Sequence, residues 1–154
     1  MIRGLHLFFI TIVLLIIKVN TACANSFTSG VIPMCDTTEF TVFHNYNDIL
    51  NFAPSGPQLS IISLSITTNH PQTLKIILKS PYGTTLLLSA FNGNGGQNYT
   101  NCNIVNYATP NITTGNAPFT GDWKPQETIG FPKFAGEDAY GVWRIIIIDT
   151  ACTS

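Results

Sequence analysis

The sequence predicts an all-β protein, most simply two packed sheets, and three observations support this fold class. Apolar residues at 62, 64 and 66 alternate with polar residues at 63, 65 and 67, which is the period of a strand buried on one face. Residues 74–78 repeat this pattern, with Lys75 and Lys79 on the opposite side. No helical period is sustained, and clusters of Gly, Pro and Asn separate the apolar runs at the spacing typical of a sandwich or barrel.

Four further runs are predicted to be strands, at residues 38–43, 84–88, 99–105 and 143–149. Asn69, His70 and Pro71 lie between the alternating run at residues 62–67 and the run at residues 74–78. Because proline cannot donate to a strand ladder, they predict a turn that joins these two runs as a hairpin. In the last run Ile146 and Ile148 make both faces apolar. We therefore expect a central strand covered on both sides, with Trp143 as a core anchor.

Residues 107–137 are predicted to form a long loop, because four prolines and four glycines there exclude both a helix and a central strand. A loop of this length in a compact domain usually packs through its own side chains. Its aromatic residues would supply that packing: Phe119, Trp123, Phe131 and Phe134. The alternative is an open aromatic platform on which sugars stack.

The amino terminus has the pattern of a cleavable signal peptide. Arg3 precedes an apolar run from residue 5 to residue 17, which is too short to span a bilayer comfortably, and Ala22-Cys23-Ala24 has the small residues that signal peptidase accepts. We therefore assign residues 1–24 to a signal peptide and exclude them from the fold. An uncleaved membrane anchor or a lipidated Cys23 is the alternative. Cleavage predicts a secreted or secretory-pathway protein that has no membrane association of its own.

Composition and charge exclude some partners. Without Arg3 and Lys18, five basic and eight acidic residues remain, so the mature chain has a net charge of −3. Nucleic-acid binding is not expected, since it needs a basic surface. Charged residues make up only 10% of the chain, and its polarity comes mainly from Thr, Ser, Asn and Gly, as in many extracellular β proteins.

Cysteines and glycosylation sequons fit the same compartment. Cleavage leaves three cysteines, of which Cys35 and Cys152 lie near the two ends of the domain and are our candidate disulfide, with Cys102 left over. The sequence leaves the pairing open. Asn98 and Asn111 each begin an Asn-x-Thr sequon and are candidate N-glycosylation sites.

A search for catalytic chemistry finds no candidate residue. The chain lacks a G-x-S-x-G elbow, a zinc-binding H-E-x-x-H, a phosphate loop and a C-x-x-C pair. His44 and His70, the two histidines that cleavage leaves, stand in no motif that would orient them toward a nucleophile. The adjacent Glu137 and Asp138 would point apart in a strand, and Asp149 is expected to fix a turn. We therefore expect no enzymatic activity and no cofactor.

Several segments, in order and spacing, resemble the P domain (P/Homo B domain) of subtilisin-like proprotein convertases of the kexin and furin type. The resemblance covers residues 59 to 150. It is carried by Ser80-Pro81-Tyr82-Gly83-Thr84, by Gly95-Gly96-Gln97-Asn98-Tyr99, by Ala117-Pro118-Phe119-Thr120-Gly121-Asp122-Trp123-Lys124-Pro125, by Phe134-Ala135-Gly136, and by Gly141-Val142-Trp143-Arg144-Ile145 followed by Asp149.

The resemblance implies a jelly-roll-like β-sandwich of the galactose-binding-like type that packs against a subtilisin-type catalytic domain and stabilises it. The division is then 1–24 signal peptide, 25–58 amino-terminal segment with the first strand or strands, and 59–154 P-domain-like sandwich. The family continues with a final G-x-L-x-x-W-x-L strand, so we expect a sandwich that lacks this strand. Either the sequence is truncated, which we favour, or a partner's strand completes the module. Thr73 stands where family members usually have Asp. Gln97, Val105 and Asn106 stand at acidic positions of the family's calcium-associated members, so no calcium site is expected in that loop.

Two functional classes follow. The first is a secreted non-catalytic module associated with serine-type endopeptidases and proteolysis, whose partner is a subtilisin-like protease domain. The second is a free-standing extracellular adhesion or carbohydrate-binding sandwich that binds another extracellular protein or a glycan. Fold alone does not decide between them.

Overall fold

The computed structural model describes residues 9–10, 14–18, 22–27, 30–52, 58–108 and 110–152. Over this part of the chain the fold is all-β, with three short 3-10 helices at Pro71–Thr73, Ile112–Thr114 and Phe131–Phe134. Its strands are β1 Phe9–Ile10, β2 Leu14–Lys18, β3 Ala22–Ser26, β4 Gly30–Val31, β5 Thr37–His44, β6 Gln58–Ile66, β7 Leu74–Lys79, β8 Thr85–Ala90, β9 Tyr99–Val105, β10 Phe119–Trp123 and β11 Gly141–Asp149.

The strands form two sheets. The smaller sheet has the order β5-β11-β7-β8, and all its neighbours are antiparallel. In the larger sheet β9 lies between β10 and β6. The other edge of β6 pairs with β1 and β2, of which β1 pairs further with β4 and β2 with β3. Strand β10, which runs parallel to β9, is an edge strand, as the prolines and glycines of the long loop require.

The predicted hairpin between β6 and β7 is wrong, because the two strands belong to different sheets. Both strands have one apolar side, and opposing sheets allow these two sides to face each other across the core. Residues 67–73 cross from sheet to sheet. The crossing is tied to the start of β9, since Thr68 N–H donates to Asn98 Oδ1 at 2.9 Å and Asn98 N–H donates to Thr68 O at 3.0 Å.

The amino-terminal segment assigned to a signal peptide is paired in the structure. Leu14–Lys18 runs antiparallel to residues 58–63 of β6, and Ile10 pairs with Ile66. Arg3 lies outside the described residues. The backbone groups of this apolar run satisfy an edge of β6 that would otherwise be open. Removal of residues 1–24 remains a prediction.

The core lies between the sheets and receives side chains from the long loop. Phe119, Phe131, Phe134 and Trp143 are fully buried, and Trp123 is half-buried against them. Trp143 Nε1 donates to Ala139 O at 2.8 Å, and its ring meets Phe134 edge-on with 5.2 Å between the ring centroids. The loop aromatics therefore anchor the loop to the core, and the three buried phenylalanines offer no open platform for a sugar.

Strand β11 occupies the central position that the sequence predicts, between β5 and β7. It is not covered on both sides, however. Trp143, Ile145 and Ile147 are buried, whereas Val142, Ile146 and Ile148 are only half-buried on the outer face. An apolar strand on a sheet with one bare face leaves an apolar surface.

Cys35 and Cys152 form a disulfide with 4.7 Å between their Cα atoms, and Cys102 is free and buried. The bond connects the segment before β5 to the segment after β11, which are neighbouring strands. Among the described residues no helix has the length and apolar character needed to cross a membrane.

Candidate interaction surface

The outer apolar face is the name used here for six side chains on the solvent side of the smaller sheet. Residues directly opposite on neighbouring strands share one face of a sheet. Ile146 of β11 is opposite Ile77 of β7, which is opposite Leu87 of β8, and Val142 is opposite Phe43 of β5. The six members are Phe43, Ile77, Leu87, Val142, Ile146 and Ile148.

Charged side chains lie within and around this face, since Arg144 stands on the same side of β11 between Val142 and Ile146. Arg144 Nε lies 3.5 Å from Glu39 Oε2, and both side chains are partly exposed. Lys75 is opposite Ile148, and Lys79 is opposite Arg144. Neither lysine forms an ion pair with any acidic residue that the structure describes. An apolar centre with a polar, here mainly cationic, rim is the usual arrangement of a protein–protein interface.

The outer apolar face is most exposed at one end, where Phe43 and Tyr140 meet. Their ring centroids are 5.3 Å apart with an interplanar angle of 79°, and the two residues are 52% and 46% exposed. Exposed aromatic rings of this kind supply much of the binding energy in protein interfaces. This end of the face is therefore its strongest candidate anchor.

A pair of interlocked loops fixes Tyr140 in place. Leu50 N–H donates to Glu137 O at 2.8 Å, and Ala139 N–H donates to Asp48 O at 2.8 Å. Asp138 accepts hydrogen bonds from the N–H groups of Tyr140 and Asp48 at 2.9 and 3.0 Å. The hydrogen bond from Tyr140, with that from Asn47 Nδ2, holds the pKa of Asp138 below its usual value. The carboxylate thus acts as a structural acceptor that orders the loop carrying Tyr140.

His44 lies behind these loops and is fully buried. Its Nε2 is 4.0 Å from Asp48 Oδ2. Burial lowers the pKa of His44, while the charges of Asp48 and Asp138 oppose that shift. Because solvent does not reach the ring, a substrate cannot reach it either, and the His–Asp pair is part of the fold.

The other polar residues singled out in the sequence are also held by the fold. His70 stands in the turn before the first 3-10 helix, where its C=O accepts hydrogen bonds from the N–H and Oγ1 of Thr73. Glu137 accepts from Thr84 Oγ1, so it is turned to a different partner from Asp138. The buried Asp149 accepts from Thr73 Oγ1 at 2.8 Å and from Ala151 N–H at 2.9 Å, in the turn-fixing arrangement expected.

The two sequons have different surroundings. Asn111 caps the 3-10 helix Ile112–Thr114: its Oδ1 accepts from Thr113 N–H at 3.0 Å, and its Nδ2 donates to Pro125 O at 2.8 Å. Asn98, by contrast, uses its Oδ1 toward Thr68 N–H. Both side chains are half-buried, and glycosylation of either one remains a prediction.

The third cysteine, Cys102, has low chemical reactivity. Burial in the core raises the pKa of Cys102 to about 12, with a smaller contribution from the charge of Asp122. A thiol this hard to ionise is a poor nucleophile and a poor metal ligand. Cys102 is therefore a packing residue of β9.

The positions that would serve a calcium ion do not fit one. Val105 is buried in the core, and Asn106 Oδ1 accepts from Phe131 N–H at 3.1 Å, so its oxygen is already engaged. Within the described ranges, no three His, Cys, Asp or Glu side chains are grouped closely enough to hold a metal ion. Hard cations need clustered oxygen ligands.

These features describe a small two-sheet domain that carries the outer apolar face on its smaller sheet and whose buried polar groups serve the fold. A model of the proprotein convertase P-domain family matches residues 59–154, more than half of the chain. The chain therefore belongs to the proprotein convertase P-domain family, as its sequence motifs predict. This domain is an accessory, non-catalytic part of proprotein convertases, which are secretory-pathway proteins. Searches for similar curated proteins and solved structures found no match.

Sequence reasoning missed the outer apolar face, although its signal was present. The unbroken apolar run from Ile145 to Ile148 predicts a doubly covered strand. The same pattern arises when one side of a strand packs in the core and the other side is left uncovered. Only the position of β11 in a two-layer fold distinguishes an uncovered strand from a doubly covered one.

Proposed function

We propose that this chain is a secreted, non-catalytic accessory module that binds a subtilisin-like serine endopeptidase and stabilises it. The signal peptide, residues 1–24, is removed, and Asn98 and Asn111 are the glycosylation candidates. In the P-domain family the partner is typically a subtilisin-like catalytic domain. The protease is either part of the same polypeptide or a separate chain.

The observation that carries this proposal is the outer apolar face. Ile77, Leu87 and Ile146 form an apolar row across three strands, which ends on β5 at Glu39, and the exposed Phe43 lies further along β5 opposite Val142. A row of this kind in water costs free energy that association recovers, and contiguous exposed apolar patches commonly mark protein interfaces. Because Lys75 and Lys79 border the row, the partner surface is expected to carry acidic residues around an apolar centre.

The test is binding to, and protection of, a protease. The chain is co-expressed with the subtilisin-like endopeptidases of its source organism, and both complex formation and the half-life of peptidase activity at raised temperature are measured. Ile146→Lys, which places a charge in the centre of the row, is expected to weaken binding at least tenfold. Thr120→Lys adds the same charge to the exposed edge strand β10 and serves as the matched control.

Two results would contradict the proposal. One is a chain that neither binds nor protects any of these proteases. The other is equal loss of binding in Ile146→Lys and Thr120→Lys while both variants melt like the wild type, because binding would then not depend on the outer apolar face.

A second candidate function, carbohydrate binding, has one specific observation in its favour. The outer face of the larger sheet carries a polar chain in which Asn103 Nδ2 and Tyr107 OH both donate to Asp122, each at 2.9 Å. Tyr107 is 69% exposed. Aromatic rings beside carboxylate and amide groups are suited to sugars, so retention on a glycan array that is lost in Tyr107→Ala would favour this alternative.

A further inference from the structure

Strand β6 has two long edges with different kinds of partner. One edge pairs with β9, from Ile61 opposite Val105 to Ile66 opposite Tyr99. The other edge pairs with the amino-terminal segment, where Leu14 is opposite Ser63, Lys18 is opposite Gln58, and Ile10 is opposite Ile66. Residue 10 and residues 14–18 thus close much of the second edge.

The segment that closes this edge is the one predicted to be removed. Residues 9–18 lie within the signal peptide, 1–24. After cleavage the inward side chains of β6 remain in the core, because Leu59, Ile62, Leu64 and Ile66 are buried against the other sheet. The backbone N–H and C=O groups of β6 that pair with residue 10 and residues 14–18 lose their partners. An unpaired edge on an otherwise anchored strand is a template for another strand.

We propose that the free edge of β6 is a strand-acceptor site, which takes up an extended aliphatic segment of a partner protein in antiparallel register once residues 1–24 have been removed. This rests on the secretion that forms part of the proposed function, and it concerns a surface separate from the outer apolar face. Main-chain hydrogen bonds would supply the affinity and alternate side chains the specificity, as in other complexes formed by strand addition.

The segment now in place indicates the chemistry of the occupant. Residues 14–17 are Leu, Leu, Ile and Ile, so four consecutive aliphatic residues pair along this edge. A second copy of the chain would offer its own β6, whose solvent side has Ser63 and Ser65. An aliphatic segment of another protein matches the present occupant better than that serine-bearing strand does.

The experiment uses the full chain and the double variant Leu15→Pro with Ile16→Pro. Neighbouring residues of a strand direct their N–H groups to opposite sides, so the two prolines together remove donors toward both β6 and β3. Hydrogen exchange over residues 58–66 is expected to speed up at alternate amides only, because β9 still protects the rest. A fluorescent peptide with the sequence of residues 12–20 is expected to bind the variant one to one, and the wild-type full chain at least tenfold more weakly.

A peptide with the same two prolines is the matched control and is expected not to bind. The proposal is overturned by unchanged exchange in residues 58–66, by equal binding of the two peptides, or by equal binding to variant and wild type. Loss of the cooperative thermal transition in the double variant would also overturn it, since residues 14–18 would then be an integral strand. A secreted homodimer with a protected β6 would assign the edge to a second copy instead. Ile146→Lys is expected to leave binding of the peptide intact. Failure of the peptide test can therefore be distinguished from failure of the protease test.

Discussion

The outer faces of the two sheets differ in chemistry. On the larger sheet, Ser63 Oγ donates to Asn103 Oδ1 at 2.6 Å, and Asn103 in turn donates to Asp122, so polar side chains satisfy one another at the surface. On the smaller sheet the corresponding positions of β11 and β7 hold Ile146 and Ile77. A surface that satisfies itself needs no partner, whereas an apolar surface gains free energy when it is covered. The comparison supports the proposal that the outer apolar face of the smaller sheet binds a protease.

The inner side of the smaller sheet should dominate stability, and Trp143 tests this most strongly. Trp143→Ala removes a fully buried ring and its hydrogen bond to Ala139 O, so the free energy of unfolding should fall by about 3–5 kcal/mol. Chemical denaturation measures the change, and Trp123→Ala, at a half-buried position, should cost less. Equal losses in the two variants would mean that the core is not centred on β11.

The disulfide should stabilise the smaller sheet more than the larger one. Replacing Cys35 and Cys152 together by alanine should lower the free energy of unfolding by about 2–4 kcal/mol, because the bond closes a long loop of the unfolded chain. Hydrogen exchange should quicken first in β5 and β11, the strands that the bond connects. Faster exchange in β6 and β9 instead would contradict this assignment, and Cys102→Ala provides the control for loss of a sulfur atom elsewhere.

Ile145 and Ile146 allow the two faces of one strand to be compared directly. Ile145→Ala opens a cavity in the core and should cost about 2–4 kcal/mol with no change in protease affinity of the folded protein. Ile146→Ala should cost roughly 1 kcal/mol or less, since the side chain is only half-buried, but should weaken protease binding. Thermal unfolding and a binding titration are measured on both variants. A binding loss in Ile145→Ala with a large stability loss in Ile146→Ala would exchange the roles of the two faces.

The smallest effect expected is a pH dependence that comes from His44. Burial lowers the pKa of His44 in the folded protein, so below the unfolded-state value of about 6.5 the unfolded chain binds the proton more readily. Stability should therefore be unaffected by this group above that pH and should decline as the pH falls below about 6.5. His44→Gln should flatten the decline in denaturation curves measured at several pH values. If the pH dependence of stability is unchanged in His44→Gln, other titratable groups cause the decline.

The strands were largely predictable from the sequence, whereas their arrangement was not. The strand predicted at residues 99–105 is observed as Tyr99–Val105, because alternation and flanking turns are local signals. Alternation also indicates which side of β6 and β7 is buried, but it does not say whether those sides lie next to or opposite one another. The hairpin error follows from that ambiguity.

The candidate surface was predictable only in part, for a related reason. The apolar character of both faces of β11 is visible in the sequence, and the buried position of Trp143 follows from it. That the outer face is bare depends on the number of layers in the fold, which no local pattern specifies. The pairing of Asp138 with the 45–50 loop is likewise long-range, since Asp138 and Asp48 are 90 residues apart.

The pairing of β5 with β11 also determines when the protein can fold during its synthesis. Thr37 is opposite Ile148, and His44 is opposite Gly141, so β5 has no partner in the smaller sheet until residues 141–149 have emerged from the ribosome. The β7–β8 hairpin is local and can form earlier. Contacts between distant residues form slowly, and strands that wait for them are exposed to aggregation. Until β11 arrives, β5 is therefore exposed to aggregation, and an arrest of translation before residue 141 would leave it without its neighbour.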